Sequence, residues 1–176
     1  MSIVGVECNA DRYFFGRLLD DKNIIRKERN DFEVIKGVSI RSKGNFSVGI
    51  IDVDKNKKIP NDFIILCEND NTKIYKRSSN YQFLILIGPR QFEYWINDFL
   101  KFKNIQVETF EFSRFDEFMQ TSKSLSPEKH ERFKNLIDFV IENFNKDENH
   151  ILKLKMQLDY IIEKKYQFSI DEFLEI

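Results

Sequence analysis

Cysteine is scarce in this chain of 176 residues: there are two, Cys8 and Cys67. They are not spaced as a metal-binding pair, and so few thiols suit a reducing compartment rather than a disulfide scaffold. No apolar run approaches the ~18 residues that a membrane span needs. The opening MSIVGVECNA carries an apolar stretch but no basic leader and no small-residue cleavage site, so it does not read as a signal peptide. The expectation is a cytoplasmic protein with no membrane partner. Net charge is nearly absent at -1, which gives no overall pull towards nucleic acid. Repeats and low-complexity tracts are lacking. Six glycines and three prolines are too few for a collagen-like chain, and 41% hydrophobic with 32% charged residues excludes a disordered one. What abounds is phenylalanine, with 18 residues, alongside lysine, isoleucine and asparagine. That bias reads as coding composition, not chemistry. The length allows one domain, or one domain with a helical extension.

Short apolar runs bounded by polar turns predict strands buried on both faces, as in an α/β sheet. They lie at Ile3 to Glu7, Phe46 to Ile51, Asp62 to Cys67 and Tyr81 to Ile87. A helix with an acidic start follows the first, through Tyr13, Phe14, Leu18 and Leu19. Residues 24–45 admit two readings. One makes Phe32 to Lys36 a strand, favoured by the β-branched Val34-Ile35 pair and by Gly37, a poor mid-helix residue. The other makes Ile24 to Glu28 the strand and Asp31 to Lys43 a helix closed by Gly44, which better supplies the crossover that parallel strands require. The first is preferred. After Gly88-Pro89 the apolar spacing turns helical through Phe92, Trp95, Ile96 and Phe99, with Pro89 in the first turn. Ile105 to Phe110 reads as one further strand. Beyond Ser113 the chain reads as helical, with Ser126-Pro127 opening one helix and Asp147 to Lys165 forming another. The predicted fold is therefore α/β: a small, mostly parallel sheet flanked by helices over residues 1–104, with a mainly helical extension over 105–176 packed on it.

Three carboxylates sit where such a sheet places chemistry. Glu7 closes the first strand, and Asp52 and Asp54 close another. The carboxyl ends of parallel strands line the ligand crevice of α/β sheets. Residues two apart in an extended segment point to the same side, and like charges held together resist joint ionisation unless a cation neutralises them. Hard oxygen donors of this kind suit Mg²⁺ or Mn²⁺. Their chemistry would be phosphoryl transfer.

Val6-Glu7-Cys8-Asn9-Ala10-Asp11 before an apolar helix resembles the first motif of the Toprim domain, a strand ending in Glu, a tight turn, and an Asp opening the helix. Ile50-Ile51-Asp52-Val53-Asp54 resembles its DxD motif, and Gly37 is similar to the glycine after its second strand. The resemblance covers about residues 1 to 100. It implies that Glu7, Asp52 and Asp54 hold Mg²⁺ or Mn²⁺ and carry catalysis. Gly88-Pro89-Arg90-Gln91-Phe92-Glu93 is similar to a helix start in small standalone Toprim-like and OLD-like bacterial proteins, many of them beside anti-phage or mobile-element genes. The reaction implied is metal-dependent cleavage of nucleic-acid phosphodiesters. Cys8 stands where the family usually has glycine, and Lys55 where topoisomerases and primases have one; both departures argue against those two activities. The competing expectation is a non-catalytic Toprim-like module that binds a protein, through the C-terminal helices, or nucleic acid.

Other residues have two readings each. Asp11 is a helix cap first and a second metal ligand next. Glu93 either complements a helix dipole or joins the site. Cys8 is a small filler before it is a reactive thiol. His130 and His150 are expected to face solvent, and Trp95 to sit in the core. From Lys22 to Lys58 there are ten basic and five acidic residues. Arg41, Lys43, Lys55, Lys57 and Lys58 are thus expected to border the acidic cluster and hold phosphates.

Overall fold

The computed structural model describes residues 3–53 and 57–176. The chain runs β1 (Val4–Val6), α1 (Asn9–Leu18), β2 (Ile25–Lys27), α2 (Asp31–Lys36), β3 (Ser47–Asp52), β4 (Phe63–Glu68), β5 (Thr72–Arg77) and β6 (Gln82–Ile87). Five helices follow: α3 (Phe92–Phe102), α4 (Phe115–Ser122), α5 (Glu131–Asn143), α6 (His150–Lys164) and α7 (Ile170–Leu174). The six strands form one sheet in the order β2-β1-β3-β6-β5-β4. The α/β class and the C-terminal helices are as expected. The sheet, however, is mixed rather than mostly parallel. β2, β1, β3 and β6 pair in parallel, but β6 with β5 and β5 with β4 pair antiparallel.

The antiparallel half comes from β5, which alternates Lys73, Ile74, Tyr75 and Lys76 and shows no apolar run. Asn69 builds the turn into it: its side-chain oxygen accepts the N–H groups of Asn71 at 2.9 Å and Thr72 at 2.8 Å. An Asx turn of this kind reverses the chain locally. It makes β4 and β5 a hairpin and leaves β6 to pair with β3.

Residues 24–45 take the reading that was not preferred. Phe32 to Lys36 is helical, and the strand is β2. The Asn30 side chain caps α2 by accepting the Glu33 N–H at 2.9 Å, and β2 and β3, which flank β1 and each pair with it in parallel, need a crossover between them. Those two demands override the β-branching of Val34-Ile35. Gly37 does not break the helix. It opens a π-helical turn, Gly37–Arg41, and Gly44, at φ +80, reverses the chain into β3. The closeness of α2 to the sheet depends on Gly49, where a Cβ would stand 2.8 Å from Val34 Cγ1 and 2.9 Å from Leu84 Cδ2.

The central strands β3 and β6 are buried on both faces, but β4 at the edge is not, with Ile64 and Ile65 exposed. Val48 and Ile50 face the main core with α1, α3, α5 and α6, while Ile51 and Leu84 face a smaller cluster with Val34 of α2 and Val38 of the π-helical turn. Period-two alternation along β3 thus serves two cores. The main core is continuous from Val4 and Ile85 through Trp95 to Phe133 and Leu158. Phe83 of β6 meets Phe168 at 4.9 Å, so the last helical segment is pinned to the sheet by aromatic edge contacts.

Four further expectations change. Ile105 to Phe110 is not a strand: Asn104 takes φ 56, the Ile105 N–H returns to Leu100 O at 2.9 Å, and Val107–Phe110 is a 3₁₀ turn. Pro89 precedes α3 instead of lying in its first turn, and the Ser126-Pro127 start gives only a 3₁₀ turn before α5. His150 is half-buried, with Nε2 at 2.9 Å from Trp95 O and its ring edge-on to the Trp95 ring. Burial lowers its pKa. His130 is exposed.

Candidate functional site

The capping of α1 fixes the first carboxylates. The Cys8 N–H donates to Asp11 Oδ2 at 3.1 Å, and Cys8 Sγ accepts the Asp11 N–H at 3.3 Å. This is a capping box with a thiol in the place of a hydroxyl. Cys8 is therefore a structural cap, and burial together with Asp11 raises its pKa. Glu7 leaves β1 just before that turn.

Val6 of β1 sits opposite Ile50 of β3 in the parallel register, so Glu7 and Asp52 emerge at the same edge of the sheet. They are joined directly: the Asp52 N–H donates to Glu7 Oε1 at 2.7 Å. Asp52 Oδ1 in turn accepts the N–H of Phe92, the first residue of α3, at 2.7 Å. The carboxyl end of β3 thus caps α3, whose own Gln91 makes no side-chain cap. Lys57 Nζ lies 3.2 Å from Glu7 Oε1 and 3.6 Å from Asp31 Oδ2, with its side chain only 6% exposed. Behind this edge lie two more buried acids, Asp11 at 3% exposure and Glu93 at 4%.

A cleft of about 540 Å³ opens over these groups, lined by Glu7, Asp31, Asp52, Lys57, Arg90 and Tyr94 among others. Arg90 lies over the Tyr94 ring at 5.2 Å, and Tyr94 is held edge-on by Phe115 at 4.9 Å.

The electrostatics are dominated by burial. Burial pushes the Asp52 carboxyl up to about 9, and Asp11, Glu7 and Glu93 add to the rise while Lys57 opposes it. The positive end of α3 favours ionised Asp52, but withdrawal from water and three neighbouring acids outweigh it. Asp11 is pushed up to about 7, again first by burial and then by Glu7 and Glu93. Asp11 Oδ1 is buried without a hydrogen-bond partner among the described residues. Such an orphaned oxygen costs about 1–3 kcal/mol.

Several expected site residues gather here and others do not. Glu7 and Asp52 share the edge, Asp11 and Glu93 lie close behind, and Lys57 is inside the cleft. Asp54 and Lys55 lie outside the described residues. Lys58 is exposed and does not line the cleft. Arg41 and Lys43 do not border the acids. They line a separate cavity, where Arg41 pairs with Glu28 at 3.1 Å and with Glu33. Their nearness to Asp52 in sequence is undone by α2, which carries them to the other end of the sheet. Asp31, Arg90 and Tyr94 were not anticipated. Arg90 had a signal, since it follows the strongest strand at its carboxyl end.

The donors available to a cation are carboxylate oxygens. Glu7 Oε2 and Asp52 Oδ2 accept no hydrogen bond from the described residues. Two carboxylates suit Mg²⁺, which keeps several waters and takes further oxygens from a phosphate substrate. Among the described residues no three His, Cys, Asp or Glu side chains form a ready metal-holding group. No described helix is long and apolar enough to cross a membrane. No protein-family model, curated protein or solved structure matches this chain.

Proposed function

We propose that the chain is a divalent-metal-dependent enzyme of Toprim-like type that cleaves phosphodiester bonds in nucleic acid. The observation that carries the reading is the junction of Glu7 and Asp52 through the 2.7 Å hydrogen bond at the carboxyl edge of adjacent parallel strands. The resemblance of the segments around these residues to the two Toprim motifs supports it. Glu7 and Asp52 would hold Mg²⁺ or Mn²⁺, with Asp54 of the same motif as a further ligand. When bound, such an ion supplies a Lewis acid for phosphoryl oxygens and acidifies a bound water. The remaining work falls to the chain. Asp52 is oriented by the Phe92 N–H. Lys57 and Arg90 bring positive charge to the cleft for a phosphate backbone. Asp11 and Glu93, buried behind Asp52, raise its affinity for positive charge.

One observation favours a second reading, a nucleic-acid-binding module without turnover. Lys57 already neutralises Glu7 and Asp31, as a tethered cation would in a site that needs no ion. The test is cleavage of end-labelled single- and double-stranded DNA and RNA with Mg²⁺, Mn²⁺ or EDTA. Metal-dependent cleavage abolished by Asp52→Asn upholds the enzyme. Binding without cleavage under all conditions upholds the module, and neither binding nor cleavage overturns both.

A further inference from the structure

On the α2 face of the sheet lies a second cavity, about 470 Å³, reaching from Gly5 of β1 to the amino ends of β1 and β3. Missing side chains make its room. A Cβ built on Gly5 meets nothing closer than 3.7 Å, in contrast to the crowding at Gly49. Val34, Val38 and Phe46 supply apolar wall. Gly37 lets an ion triad lie against the backbone, since its Cβ would stand 3.1 Å from Arg41 Nη2 and 3.3 Å from Glu28 Oε1. In that triad Arg26 and Arg41 share Glu28, at 2.5 and 3.1 Å.

The charge of this cavity is unbalanced. Its ionic lining is Arg26, Arg41, Lys43 and Lys165 against Glu28, and Glu33, outside the lining, pairs with Arg41, which leaves an excess of two positive charges. Lys43 and Lys165 make no ion pair with any described residue. Both have left-handed backbone, with φ 52 and φ 48, a conformation that non-glycine residues seldom hold and that gathers at ligand clamps. The π-helical turn Gly37–Arg41 contributes Gly37, Val38 and Arg41 to the lining, and such turns recur at functional sites. The Tyr166 hydroxyl accepts the Phe46 N–H at 3.0 Å, which leaves its own proton to donate.

We propose that this cavity binds a nucleoside phosphate, with the nucleoside against the valine walls and the phosphate at Lys43, Lys165 and the Tyr166 hydroxyl. The volume lies within the range of small-molecule sites, and an apolar wall with a few convergent polar groups is their usual build. Cation–phosphate hydrogen bonds supply the orientation. The site stands apart from the acidic cleft, at the opposite end of the parallel strands, and does not depend on catalysis there.

Calorimetric titration and thermal melting of the full chain in EDTA test this with AMP, GMP, ADP and GDP, against adenosine and inorganic phosphate alone. At least one nucleotide is expected to bind about 10-fold or more tighter than either fragment. The double variant Lys43→Gln/Lys165→Gln should weaken it about 10-fold or more, and Gly5→Val, which fills the floor, should do the same without removing charge. Asp52→Asn should bind as the parent does. The proposal is overturned if no nucleotide outbinds both fragments, if the folded double-lysine variant binds unchanged, or if Asp52→Asn abolishes binding and so moves the ligand to the cleft.

Discussion

The acidic cleft and the basic cavity lie at opposite ends of the same parallel strands, and they neutralise their charge in opposite ways. At the carboxyl edge, Glu7, Asp31, Asp52, Asp11 and Glu93 meet Lys57 and Arg90, and Asp11 Oδ1 has no partner among the described residues. At the other end, Arg26 and Arg41 share Glu28, Arg41 also pairs with Glu33, and two lysines of the lining make no ion pair with any described residue. The acids are held on rigid elements, with Asp11 of the capped α1 and Glu93 in the first turn of α3 buried and Glu7 and Asp52 half-buried at strand ends. The bases are exposed, Arg26 on β2, Arg41 on the π-helical turn, Lys43 in the turn after it and Lys165 at the start of a 3₁₀ turn. An unneutralised buried carboxylate raises its pKa, whereas an unneutralised exposed lysine remains charged. The first end therefore needs a cation or a proton, and the second attracts an anion.

The largest expected effect is at the acidic end. Asp52→Asn keeps an oxygen to accept the Phe92 N–H but loses the charge that would hold a cation. Metal-dependent cleavage should fall by about 100-fold or more, in line with the loss of one key electrostatic group. Glu7→Gln should match it. Single-turnover rates in Mn²⁺ measure this, and a variant within about threefold of the parent would remove Asp52 from the site.

A stability contrast at the other end comes next. Gly49 and Gly5 both face α2, but a Cβ would crowd its neighbours below 3.0 Å at Gly49 and make only ordinary contacts, at 3.7 Å or more, at Gly5. Gly49→Ala should cost about 1–3 kcal/mol, because overpacking in a tight core is poorly relieved. Gly5→Ala should be close to neutral. Urea melts compare them directly, and equal losses would mean that the cavity closes in solution.

Much of the acidic end was legible in the sequence, because each carboxylate follows a strand whose apolar run is plain. The parallel register then brings Glu7 and Asp52 together without further information. The basic end was not legible. Arg41 and Lys43 lie near Asp52 along the chain, and only the path of α2 separates them. That path hung on Asn30 as a cap, against the β-branched pull of Val34 and Ile35. β5 was missed because Lys73 and Lys76 interrupt its apolar alternation, and with it the antiparallel half of the sheet. Arg90 shows the converse: its place after β6 was readable, but its position over Tyr94 depends on the start of α3.

Lys57 sharpens the comparison, since it is the internal counter-ion of the acidic end. Lys57→Met removes the partner of Glu7 and Asp31 from a nearly closed position. Metal-free stability should fall by about 1.5–3 kcal/mol, the usual effect of unpairing a buried charged group. Added Mn²⁺ should then raise the melting temperature of the variant more than that of the parent, because the tethered competitor is gone. An unchanged metal-free melting temperature would show that Lys57 is solvated and does not neutralise the site.

The last comparison separates protons from cations at the acidic end. The folded chain holds Asp52 at about 9 and Asp11 at about 7, against an ordinary aspartate value of 3.8. Over that window the folded state keeps protons that the unfolded state releases. The stability from these two groups is full below about 4 and is lost as pH rises through their folded values. Asp52→Asn cannot ionise, so the metal-free variant should gain on the parent steadily from pH 5 to pH 9. A gain of about 1 kcal/mol would appear as roughly 2–4 °C in melting temperature for a chain of this size. Asp11→Asn should gain too, but its advantage should level off nearer pH 8, because Asp11 titrates first. With saturating Mn²⁺ the order inverts, since a bound cation holds the parent's carboxylates ionised and the amide variant forfeits that linkage. A difference between parent and Asp52→Asn that stays flat with pH, with and without Mn²⁺, would mean that Asp52 is ionised and satisfied by Lys57 alone, and that neither proton nor metal is needed at the carboxyl edge.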